Sequence, residues 1–112
     1  MANYSRMDRI SEEVKRELSL VIRDLKDPRL PAMVSVVAVR VTKDLKFAKA
    51  YISIMGDEKE RQDGIAALKS ASGFIRKEIG RRLNLRNTPE FSFVADDSIA
   101  YGAHINEILK GL

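Results

Sequence analysis

Apolar residues recur at Ile10, Val14, Leu18, Val21, Ile22 and Leu25, the spacing of one buried helix face. Ser5, with Asp8 three residues later, supplies a capping arrangement ahead of that run. Asp27-Pro28-Arg29-Leu30-Pro31 is expected to stop the helix, because each proline disfavours helix in the residue before it. The period then falls to two. Val34 to Val41 is dense in β-branched residues, and Ala48, Ala50, Ile52 and Ile54 share one face of a second strand. Between them, Thr42-Lys43-Asp44-Leu45-Lys46-Phe47 is short and polar enough for a hairpin connection. Gly56-Asp57, followed by Glu60, opens a second helix that carries Ile65 and Leu68 inward.

The helical period breaks at Ala71-Ser72-Gly73 and resumes in a third helix, where Ile75, Ile79 and Leu83 form a stripe spaced by four. Asn84 to Pro89 ends it, and Glu90 to Ala95 alternates as a third strand. Asp96-Asp97-Ser98 turns the chain, and Ile99, Ile105, Ile108 and Leu109 suit a short closing helix. The predicted order is α-β-β-α-α-β plus a C-terminal helix. Three strands with helices that must cover one apolar sheet face make an α+β two-layer domain. The 112 residues suffice for one core, so a single domain over residues 1–112 is expected.

The absence of cysteine rules out disulfides, zinc-thiolate sites and thiol catalysis, and favours an intracellular setting. The charged N-terminus does not read as a signal peptide, and no run approaches a membrane span. The net charge of +4 is unevenly placed. Residues 1–27 balance, residues 28–68 carry +2, residues 69–87 hold six bases against one acid, and residues 88–112 hold one base against four acids. Such local basicity has the form of a binding footprint for a polyanion.

Catalysis has few candidates. The single histidine, His104, lies near Asp96, Asp97 and Ser98 in sequence, yet nothing signals an oxyanion site. The same acids match no recognised metal spacing, and neither a P-loop nor a GxGxxG motif occurs. No enzyme activity, metal or cofactor is expected. The basic helix differs. At about 100° per residue, Gly73, Lys77, Gly80, Arg81 and Asn84 fall on the side away from Ile75, Ile79 and Leu83. Gly80, costly inside a helix, answers a need for close approach, either within the core or by a ligand. Arg76, Lys77, Arg81, Arg82 and Arg86 have only Glu78 against them, which favours phosphate contact. Arg76 and Arg82 flank the apolar stripe and have the alternative of packing their stems along the core. Lys43, Lys46 and Lys49 form a second group with Phe47 and Tyr51. Two readings stand for it: RNA grip by charge and stacking, or protection of a sheet edge.

The helix-strand order and the small-residue break before a basic helix resemble a type II KH domain, with Ala71-Ser72-Gly73 in place of the GxxG loop. More closely, the chain resembles the bacterial ribosome-binding factor A family, whose members carry such an AxG kink in a KH-like fold. Arg9-Ile10 with Glu13, Asp27-Pro28-Arg29, Val39 with Val41-Thr42, Asp44-Leu45 and Ala48-Lys49-Ala50-Tyr51 carry the resemblance in the first half. Ala71 to Arg76, Gly80-Arg81-Arg82-Leu83, Leu85 to Glu90, Phe93, Asp96-Asp97-Ser98 and Tyr101-Gly102 carry it in the second. The resemblance implies a cytoplasmic, monomeric, non-enzymatic assembly factor without a cofactor. Its expected partners are the free small (30S) ribosomal subunit and 16S rRNA, with functional coupling to assembly GTPases. Its expected role is late subunit maturation and 5′-end processing of the rRNA, important in the cold. The RNA-binding residues expected from the charge pattern, the glycine-bearing helix side and the kink are Ala71, Ser72, Gly73, Arg76, Lys77, Gly80, Arg81, Arg82, Arg86, Lys43, Lys46 and Lys49. The competing reading is a protein-interaction module that pairs through its hairpin or a sheet edge without touching RNA.

Overall fold

A computed structural model describes residues 5–30 and 33–96. The closing helix expected around Ile99 to Leu109 lies outside the described residues. Helix α1 (Arg6–Asp24) begins with a complete capping box: the Ser5 hydroxyl accepts from the Asp8 amide, and the Asp8 carboxylate accepts from the Ser5 amide. Its stripe Ile10, Val14, Leu18, Val21 and Ile22 is buried. The helix stops earlier than the prolines require. Leu25 is already extended, and the turn beyond it is held by Asp27, whose carboxylate accepts from the Arg29 amide and guanidinium. The Arg29 side-chain bonds, and then its amide, pull the Asp27 pKa from 3.8 to about 2. The clasp is therefore intact above pH 3.8 and is lost as pH falls through about 2.

Strands β1 (Val34–Val41), β2 (Phe47–Ile54) and β3 (Glu90–Ala95) form one sheet in that order. β1 and β2 run antiparallel, and β2 and β3 run parallel. A register shift between Val36 and Ala38 leaves Val37 without a partner. It moves the core-facing set from Val34 and Val36 to Val39 and Val41, so valines of both parities share one face. The connection between β1 and β2 is less polar than its composition suggests. Leu45 is buried, and its φ of 60° places a leucine in the left-handed region. Thr42 and Asp44 hold that turn: the Thr42 hydroxyl donates to Asp44 Oδ1, which also accepts from the Lys46 amide.

Helix α2 (Glu58–Ser70) starts at Asp57 with a second capping box to Glu60, and buries Gly64, Ala67 and Leu68. Ile65 is only partly buried at the rim of the core. Helix α3 (Ser72–Arg82) buries Ile75 and Ile79 completely. Each such side chain contributes about 1.5–3 kcal/mol by leaving water. With α1 they cover the face formed by Val39, Ala48, Ala50, Ile52, Ile54, Phe91 and Phe93, giving the predicted two-layer α+β arrangement. α3 ends sooner than its stripe suggests: Leu83 is an extended cap, so Asn84 lies past the helix and off its outer side.

Candidate nucleic-acid interface

α2 and α3 are separated by one residue. Ala71 (φ −90°, ψ 5°) closes α2 through its amide to the Ala67 and Leu68 carbonyls, and its own carbonyl accepts from the Ile75 amide. No side chain caps the start of α3. Two residues on, Gly73 is exposed, and among the described residues nothing lies within 4 Å of the position a Cβ would occupy. The start of α3 therefore presents backbone that an outside group can approach closely, at the helix end where the dipole favours an anion. Phe74, beside it, is 53% exposed.

Down the same side the bases differ in what they touch. Among the described residues Lys77 has no hydrogen-bond or ion-pair partner. Arg81 pairs with Glu78 at 2.7 Å. Arg82 reaches Glu17 of α1 at 3.4 Å and Glu78 at 3.8 Å, a clip between two helices. The single acid of the basic stretch thus engages two of its arginines. Gly80 also has an internal reason: a Cβ there would lie 2.8 Å from Thr88 Oγ1. Arg76, one turn before Gly80, reaches the same segment and donates from Nε to the Thr88 carbonyl at 3.2 Å. Arg86 is exposed in the segment after α3.

The lysine group divides. β2 is the central strand, so protection of a sheet edge does not account for Lys49. Its ammonium lies 5.6 Å from the centroid of the Tyr51 ring, on the helix-free face and in register with Arg40. Lys43 is exposed in the hairpin connection. Lys46 faces the α3 side, where the Glu90 amide donates to its carbonyl at 2.8 Å and Asn87 Nδ2 donates to the Asp44 carbonyl at 3.2 Å. Lys46 and Arg76, 30 positions apart in sequence, line one notch with Phe47, Asn87, Thr88 and Glu90. Periodicity could not have found that meeting, since it is made by the 84–89 segment crossing between hairpin and helix. Of the catalytic possibilities, Asp97, Ser98 and His104 lie outside the described residues.

A family model described as ribosome-binding factor A matches residues 6–109. The chain belongs to the ribosome-binding factor A family. A Clostridium botulinum (strain Hall) ribosome-binding factor A is 58% identical to it over 113 aligned residues, spanning 100% of this chain and 93% of the relative. The crystal structure of ribosome-binding factor A from Thermus thermophilus superposes with a TM-score of 0.73 at 27% identity, covering 81% of this chain and 97% of that one. A second Thermus thermophilus coordinate set, fitted into an electron cryo-microscopy map of a 30S complex of that factor, gives a TM-score of 0.64 at 30% identity. It covers 75% of this chain and 88% of that one. Membership in the ribosome-binding factor A family agrees with the observed α-β-β-α-α-β order and with the one-residue joint at Ala71.

Proposed function

We propose that this chain is a cytoplasmic, monomeric assembly factor that binds the free small ribosomal subunit through 16S rRNA and does no covalent chemistry. Its contact surface is the outer side of α3 with the joint before it. Ala71, Ser72 and Gly73 admit the RNA backbone, while Lys77, Arg81 and Arg86 meet phosphates. Lys43, Lys46, Lys49 and Arg76 extend the positive field, and Arg82 and Gly80 contribute mainly by fixing the helix in place. The reading is supported above all by the Thermus thermophilus relative fitted into the map of its complex with the 30S subunit. Supporting it from this chain is Gly73, unobstructed among the described residues, one turn from Lys77, which has no polar partner among them.

Bound there, the protein acts by occupancy. It lowers the free energy of the rRNA conformation it fits and leaves others unaided, so it shifts folding only by its difference in affinity. We assign that work to late maturation, including processing of the 16S 5′ end. It matters most in the cold, where misfolded RNA helices escape slowly, and release is coupled to an assembly GTPase.

Co-sedimentation with small subunits over a salt series tests the interface. Wild-type binding should weaken steeply with salt, and Lys77→Glu, Arg81→Glu and Arg86→Glu together should flatten the log–log slope by about 2 or more. Binding that ignores salt, or that survives the triple reversal, would overturn the proposal. Nuclease treatment of a pull-down adds a second arm, since a partner retained without RNA would point to protein contacts instead.

A further inference from the structure

Phe47 is the first residue of β2 and leaves 54% of its surface in water, although an aromatic ring gains substantially from burial. It borders the notch of about 300 Å³ between the hairpin connection, α3 and the 84–89 segment. Three bonds hold the walls: Glu90 amide to Lys46 carbonyl at 2.8 Å, Asn87 Nδ2 to Asp44 carbonyl at 3.2 Å, and Arg76 Nε to Thr88 carbonyl at 3.2 Å. The volume is at the lower end of the range of about 300–1,000 Å³ for small-ligand sites. Phe47 and Glu90 are exposed register partners at the end of the parallel pair, on the helix-free face with Lys49, so a ligand joining them to Lys46 and Arg76 passes around the end of the sheet.

Lys46 and Arg76 suit phosphate, and Phe47 suits the flat face of a base. A carboxylate among them would repel phosphate, so Glu90 must meet a different part of the same ligand. Its two oxygens are acceptors and call for adjacent N–H donors. Among the RNA bases, guanine presents two such donors side by side, N1–H and N2–H, on its Watson–Crick edge. That edge is available only when the base is unpaired. We propose that this notch takes a single unpaired guanine of RNA. The base stacks on Phe47, its N1–H and N2–H donate to the Glu90 carboxylate, and the flanking phosphates rest on Lys46 and Arg76. The assignment depends on the RNA-binding reading above and adds base selectivity to it.

The test is an NMR titration of the full chain with the pentaribonucleotides UUGUU, UUAUU and UUUUU. Wild type should bind UUGUU about 5-fold to 100-fold more tightly than UUUUU, the range of discrimination that one bidentate side chain–base pair supplies, with shifts at Phe47 and Glu90. Phe47→Leu, at an exposed site that tolerates the change, should weaken binding of UUGUU about 5-fold or more, and Phe47→Trp should keep it. Glu90→Gln should bind UUGUU and UUAUU alike. Equal wild-type affinity for all three oligonucleotides, or a Phe47→Leu variant that binds UUGUU as wild type does, would overturn the guanine site. If Lys77→Glu with Arg81→Glu abolishes subunit co-sedimentation while Phe47→Leu leaves UUGUU binding intact, only the guanine site fails. If that charge reversal leaves subunit binding unchanged, the broader interface fails.

Discussion

Gly73 and Gly80 lie on the same outer side of α3, yet one faces open space and the other faces Thr88 Oγ1 at 2.8 Å from where a Cβ would stand. The two ends of the helix differ in the same sense. At its start Gly73, Phe74 and Lys77 are exposed and, among the described residues, have no polar partner or close packing neighbour at the Gly73 Cβ position, whereas further along Glu78, Arg81, Arg82 and Gly80 are occupied with one another, with Glu17 or with Thr88. A glycine in a helix interior costs about 1 kcal/mol relative to alanine, and less in the first turn, where Gly73 sits. Among the described residues Gly80 has a packing reason in Thr88 and Gly73 has none, which is why Gly73 belongs to the proposed RNA contact.

The largest effect tests what orients both ends. Ile79→Ala should destabilise the protein by about 2–5 kcal/mol in urea unfolding, because a fully buried side chain is removed. A loss below about 1 kcal/mol would show that the stripe does not fix the helix. A smaller effect addresses the glycines directly. Gly80→Ala should cost about 1 kcal/mol despite its gain in helix propensity, and the same change in a Thr88→Ala background should become neutral or stabilising. Gly73→Ala should stabilise by about 0.5 kcal/mol while weakening subunit binding. Equal behaviour of the two glycines would erase the contrast. The smallest effect separates the cations. Arg82→Ala should lose about 0.2–1 kcal/mol of stability through its partly exposed pairs with Glu17 and Glu78. Lys77→Ala should leave thermal unfolding unchanged and reduce the salt slope of subunit binding by about 1.

The elements were largely legible in the sequence because each is written in local terms. The Ser5–Asp8 and Asp57–Glu60 capping boxes, the Ile10 to Ile22 stripe and the Ala48 to Ile54 alternation all appear where their spacing puts them. Local terms fail where a distant contact intervenes. Val37 breaks strand parity where the pairing with β2 shifts register, and the positive-φ position of the turn held by Thr42 and Asp44 carries a leucine whose side chain is buried in the core. The interface was legible as a charge excess, but not in its division of labour. Nothing near Arg82 announces Glu17, and nothing near Gly80 announces Thr88.

By itself, then, the sequence determined the helices and strands, the buried stripe of α3, the break at Ala71 and the concentration of positive charge, since these depend on periodicity, capping and composition along a short stretch. The tertiary structure decided that β2 is central and pairs parallel with β3, that Lys46 meets Arg76 across a notch, and which bases are spent internally. Those outcomes depend on which remote segments come together, and remote proximity is a property of the packed chain that no local pattern encodes.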